Sequence, residues 1–166
     1  MQTHMRRVTF DTPLGRCALS WHDAGLTGFE LPEASPRPTD DSAPPAEILQ
    51  VIERVRLHLS GRFQDFSDLR YDFSNLPAFN LAVLRETLRI RPGATTTYGA
   101  IAAALGQSAA ASRAVGTALG ANRWPLLIPC HRVVAADGRM TGFSGPGGIR
   151  TKTRLLALEG AQLLSE

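Results

Sequence analysis

The 166 residues include only two cysteines, four histidines and one lysine. With two cysteines, Cys17 and Cys130, no disulfide framework can form beyond a single pair, and a cytosolic setting implies free thiols. The histidines are scattered at positions 4, 22, 58 and 131 and lack the clustered spacing of a zinc site, so no metal is expected. No apolar run approaches bilayer length, and the N-terminus enters a strand-like pattern rather than a signal peptide. A cytoplasmic location away from membranes is therefore expected. Hydrophobic residues make up 43% and charged residues 20%, an ordinary balance for one globular domain or two small ones.

Acidic residues are short in one half only. Residues 1–75 carry 8 Lys+Arg and 11 Asp+Glu, a net −3, whereas residues 76–166 carry 10 and 4, a net +6. Between Thr87 and Leu158 the only acid is Asp137. Such a region offers little repulsion to a phosphate backbone, although a solvated basic face without a partner accounts for the charge as well.

Arg7 to Phe10, Gly15 to Trp21 and Leu26 to Leu31 are apolar-rich runs between turn signals and predict three strands. Pro32 to Pro45 predicts a long exposed loop. Ile48, Val51, Ile52, Val55 and Leu59 repeat at helical spacing before Gly61, predicting one helix that covers a small sheet. His58 in this helix is expected to be a surface or partly buried histidine rather than a ligand. After a connector from Phe63 to Pro77, Phe79, Val83, Leu84 and Leu88 predict a second helix. Thr97 then caps a helix to about Leu105, and Ser108 caps another to about Leu119. Two short helices around a glycine turn suggest helix-turn-helix, a weak pattern in an alanine-rich stretch.

The pentapeptide Pro129-Cys130-His131-Arg132-Val133 follows the apolar run Leu126-Leu127-Ile128. Proline restricts its own φ and the residue before it, which mounts a thiol on a stiff segment beside a titratable ring. A structural cysteine after an apolar run fits the dipeptide equally. On an extended segment neighbouring side chains diverge, so Cys-His cooperation needs a bend or a bridging water. Glu159 is a carboxylate at the unfavourable end of a helix dipole, which argues for a specific partner. Arg113 is the one long cation among Ala109, Ala110, Ala111, Ala114 and Gly116; small residues there serve close approach to nucleic acid or to a neighbouring helix.

Thr97-Tyr98-Gly99, Ser112 to Gly116, Asn122, the pentapeptide, Gly142-Phe143-Ser144-Gly145 and Leu155 to Gly160 occur in that order. Together with Phe10 to Gly15 they resemble the methylated-DNA–protein-cysteine methyltransferases, the O6-alkylguanine-DNA alkyltransferases. The resemblance implies an α+β fold, with a small ribonuclease-H-like N-terminal α/β domain over 1–76 and a winged helix-turn-helix domain over 77–166. It implies a single-turnover transfer of the alkyl group from O6-alkylguanine, flipped out of double-stranded DNA, to Cys130 by a monomer that needs no cofactor. By the same resemblance His131 is the base acting through a water, Glu159 orients it, and Asn122 braces the turn. Tyr98 acts at the neighbouring phosphate and Arg113 fills the gap left by the base, on a helix whose Ala111 and Gly116 approach the DNA. Met140, Phe143 and Ser144 line the base pocket. Tyr98 to Arg113 is one residue longer than the family spacing, Phe143 stands where tyrosine is usual, and the glycine loop is longer. A related non-repairing branch lacks the cysteine, which this chain keeps. Rival readings are a helix-turn-helix DNA-binding regulator with a structural cysteine, and a Cys-His hydrolase or transferase of small molecules.

Overall fold

A computed structural model describes residues 5–32, 43–137 and 148–161. Strands β1 (Arg6–Thr12), β2 (Gly15–His22) and β3 (Gly25–Glu30) form an antiparallel sheet in the order β1-β2-β3, at the three predicted places. Pairing sets Val8 opposite Leu19 and Phe10 opposite Cys17. The period of two then places Cys17, Leu19 and Trp21 together, and they cluster with Ile48, Val51, Ile52, Val55 and Leu59 of α1 (Ala46–Leu59).

The predicted long loop falls mostly on residues 33–42, outside the described residues. Beyond α1 the chain makes a 3-10 turn at Phe66–Asp68, capped by Asp65. It then returns beside β3, where Leu26 N–H donates to Arg70 O (2.8 Å) and Asp72 N–H to Leu26 O (2.8 Å). Gly25 makes this approach possible: at φ +130° an added Cβ would lie 2.5 Å from the Arg70 carbonyl oxygen.

Helices α2 (Ala78–Thr87), α3 (Tyr98–Ala104) and α4 (Ser112–Gly120) follow. Thr97 caps α3, its Oγ1 accepting from Ala100 N–H at 3.0 Å, as predicted. The next helix does not start at Ser108. Residues Ala109–Ala111 form a separate 3-10 turn without a side-chain cap, and α4 begins at Ser112. With no capping bond to Ser108, the tighter 3-10 form takes up the first three alanines. Val83, Ile101, Ala102, Val115, Ala118, Leu119 and Val133 pack these helices into a second cluster. A short parallel pair joins β4 (Thr96–Thr97) to β5 (Val133–Val134), and α5 (Ile149–Leu158) closes the described chain.

The first cluster extends past residue 76, taking in Leu84, Trp124, Leu126, Leu127, Ile128 and Leu155. Apolar contact thus runs from the sheet to the segment that leads into Cys130, with burial contributing about 1.5–3 kcal/mol per large side chain. Among the described residues no helix is long and apolar enough to cross a membrane.

Candidate active site

Asn122 organises the segment after α4. Its Oδ1 accepts from Trp124 N–H (2.9 Å) and its Nδ2 donates to Ile128 O (2.9 Å). Trp124 is fully buried, donates from Nε1 to Leu26 O (3.1 Å), and meets Tyr71 and Phe73 edge-on. The turn is thereby tied to β3. Leu126 is buried at φ +77°, a backbone region costly for a branched side chain and tolerated where packing over-determines it.

Pro129, at φ −80° and ψ 64°, is the centre of an inverse γ-turn, with Cys130 N–H donating to Ile128 O (2.7 Å). A 3-10 turn over Cys130–Arg132 follows, closed by Arg132 N–H to Pro129 O (2.9 Å). Here lies the bend an extended reading lacks: successive side chains on a 3-10 turn diverge by about 120° rather than 180°. Cys130 is partly exposed and free, whereas Cys17 is buried in β2 with its thiol pushed up to about 11 by burial.

Behind the thiol lies a buried ionic network centred on Glu159, which terminates α5 and is only 4% exposed. One oxygen, Oε1, faces His131 Nε2 (3.0 Å) and accepts from Arg132 Nε (2.8 Å). The other, Oε2, faces His58 Nε2 (2.8 Å) and accepts from Arg132 Nη2 (2.6 Å). Burial by itself would raise the Glu159 pKa, but hydrogen bonds from Arg132, His131 and His58 outweigh it and hold the group far below the carboxylate range. With Glu159 ionised, His131 Nε2 is a donor and the ring's basic lone pair lies on Nδ1, which is buried without a partner among the described residues. Burial, reinforced by the charge of Arg132, pushes the His131 pKa down against the pull of Glu159, so the ring is neutral at pH 7.

Lys152 of α5 is 1% exposed, donates from Nζ to Val133 O (2.7 Å) and lies 5.8 Å from the centre of the Tyr98 ring. Burial brings its pKa down to about 8, opposed by attraction to Cys130. At Cys130, burial raises the thiol pKa while contact with Asn122 and the charge of Lys152 lower it.

Cys130, His131, Glu159 and Asn122 thus come together, with Tyr98 reached through Lys152. Gly116 packs towards Tyr98, where an added Cβ would lie 3.7 Å from Cε1. Ala111 is partly buried before α4, and Arg113 is exposed on α4. Met140, Phe143 and Ser144 lie outside the described residues. Two neighbours of the site, Lys152 and His58, were missed. Arg132 stands inside the pentapeptide, where its charge meets Glu159, whereas no local pattern marks Lys152. His58 corrects its expectation, since it is fully buried; its spacing from Val51 and Val55 already placed it on the apolar face of α1.

Residues 78–161 match the family model for the DNA-binding domain of 6-O-methylguanine DNA methyltransferase. The chain belongs to that family. A methylated-DNA–protein-cysteine methyltransferase of Methanothermobacter thermautotrophicus is 36% identical over 91% of this chain and 83% of its own length. A Thermus thermophilus protein named as a DNA base-flipping protein is 40% identical over 90% of this chain and 97% of its own. The crystal structure of Mycobacterium tuberculosis OGT in complex with DNA superposes with a TM-score of 0.78 at 33% identity, covering 92% of each chain. Within the methyltransferase family, then, this chain presents a partly exposed cysteine with a neutral, carboxylate-bound imidazole as its sequence neighbour.

Proposed function

We propose that the protein repairs DNA by moving the alkyl group of O6-alkylguanine onto its own Cys130, once per molecule. The observation that carries this reading is the arrangement around His131: Nε2 is committed to Glu159, which leaves Nδ1 as the base next in sequence to Cys130, a residue that is partly exposed.

Alkylated O6 lies inside the base stack, so the nucleotide must leave the duplex before a side chain can reach it. His131 then takes the thiol proton through a water, and the charges of Glu159 and Lys152 favour the Cys130 thiolate–imidazolium pair. Sulfur attacks the alkyl carbon in line and the carbon–O6 bond breaks. Its electron pair goes to the purine, which takes up a proton as His131 returns to neutrality. A thioether does not hydrolyse, and the cysteine stays blocked. Tyr98 acts at the phosphate beside the extruded nucleotide, Arg113 enters the gap, and Ala111 and Gly116 allow α4 to come close to the backbone. Met140, Phe143 and Ser144 line the base pocket. In this reading residues 1–76 form a ribonuclease-H-like support, residues 77–166 a winged helix-turn-helix domain, and the protein works as a cytoplasmic monomer.

The likeness to the Thermus base-flipping protein favours a second reading, base extrusion without transfer. Intact mass after incubation with duplex DNA carrying O6-methylguanine separates the two. Transfer adds one CH2 unit to the protein, absent in Cys130→Ala; DNA binding with unchanged mass would refute it.

A further inference from the structure

Glu159 receives a hydrogen bond from the other side of the molecule. His58 lies on α1, which covers the N-terminal sheet, 101 residues from Glu159 in sequence, yet its Nε2 is 2.8 Å from Oε2. Both side chains are fully buried. The His58 ring is held on two sides by Phe63 and Phe66, each 5.4 Å away between ring centres. Its Nδ1 accepts the backbone N–H of Gln64 at 3.0 Å. An acceptor Nδ1 puts the ring hydrogen on Nε2, so the contact with Glu159 is a donated hydrogen bond to an ionised carboxylate.

The carboxylate is thereby shared symmetrically. Each oxygen takes one imidazole and one arm of the Arg132 guanidinium, while Arg132 Nη1 is itself held by Ile90 O (2.5 Å). We propose that His58 is a positioning residue for alkyl transfer: by occupying Oε2 it fixes the carboxylate plane, so that Oε1 stays aimed at His131 Nε2. This rests on the reading of His131 as the base. The helix that covers the N-terminal sheet thus sets the geometry of the base in the other half, as outer hydrogen bonds orient an imidazole in metal sites and triads.

Two substitutions divide the two contacts of the ring. His58→Gln can present an amide N–H near the place of Nε2 and keeps the bond to Glu159, while giving up Nδ1. His58→Asn can present a carbonyl oxygen near the place of Nδ1, keeping the Gln64 amide satisfied, while giving up the bond to Glu159. Among the described residues the charged and titratable groups acting on the His131 ring are Glu159, Arg132 and His58, with Lys152 acting on Cys130. Loss of the His58 donor leaves Glu159 a stronger acceptor for protonated His131, which moves the acid limb of the pH–rate profile to higher pH.

The rate of methyl transfer from O6-methylguanine duplex DNA, and the pH dependence of Cys130 alkylation by iodoacetamide located by peptide mass, are measured for wild type and both variants. Thermal unfolding checks that each is folded. The expected result is a near wild-type rate and profile for His58→Gln, and for His58→Asn a loss of about ten-fold or more with a displaced acid limb. Equal effects of the two variants, or a greater loss in His58→Gln, would overturn the positioning role and leave His58 as a brace for the connector. If a variant does not fold, the iodoacetamide profile of the other decides: a displaced limb in His58→Gln or an unmoved one in His58→Asn overturns the proposal. A wild-type protein that gains no mass refutes the transfer reading itself, while the iodoacetamide profiles still test His58.

Discussion

Arg132 grips Glu159 at two points, Nε to Oε1 at 2.8 Å and Nη2 to Oε2 at 2.6 Å, with both side chains almost fully buried. A planar fork on a carboxylate is an arrangement lysine cannot reproduce. Because both charges are out of water, the pair matters most when one member is removed.

Arg132→Met leaves a buried carboxylate with only imidazole donors, and about 3–5 kcal/mol of stability is expected to be lost. Urea unfolding at pH 7 reads it. Combining it with Glu159→Gln removes the stranded charge, so the double variant is expected to be more stable than Arg132→Met alone. Additive losses would count against the coupling.

Stability is expected to fall as the solution is acidified below about pH 6.5. Burial holds His131 below its ordinary value of 6.5, so the unfolded chain takes up that proton first and gains over the native state. The contribution is intact above the unfolded pKa and erodes as pH drops towards the folded one. Glu159, whose pKa is depressed from 4.5, adds its own loss only in more acidic solution. Urea midpoints at pH 7.5 and 5.5 check the direction, and His131→Phe is expected to flatten the difference.

Lys152 is the cation whose charge lowers the Cys130 pKa. Lys152→Met is therefore expected to shift the pH dependence of Cys130 alkylation by iodoacetamide to higher pH, slowing the reaction several-fold at pH 7. Stability responds in its own window. With a folded pKa of about 8 against 10.5 unfolded, the wild type gains stability between those values as the unfolded chain gives up its extra proton. The variant is expected to lack that rise.

Asn122→Ala removes both clamps of the turn, to Trp124 N–H and Ile128 O. Leaving these backbone groups unpaired is expected to cost about 1–3 kcal/mol and to slow alkyl transfer, because the inverse γ-turn that presents Cys130 loses its brace. Asn122→Asp keeps the acceptor for Trp124 but sets a negative charge against the Ile128 carbonyl and the thiolate. Transfer is expected to suffer more there than stability does.

Much of the local structure was legible because it depends on local physics. Apolar runs between turn signals located β1 to β3, helical spacing located α1, and Thr97 marked the start of α3. The ordered motifs from Tyr98 to Gly160 marked Cys130, His131, Asn122 and Glu159. Where competing local hydrogen bonding decided the outcome, at the alanines after Ser108, the helix start was misplaced.

The amino-acid sequence by itself determined most of the elements and the family to which the chain belongs. Only the tertiary structure decided that His58, from the helix over the N-terminal sheet, would share a carboxylate with His131. It also decided that Lys152 would be buried near the thiol. Periodicity reports which face of a helix is buried, but not which distant polar group that face will meet. A buried charge is satisfied by whatever donors the packed chain brings within hydrogen-bond reach, however far apart they lie in sequence.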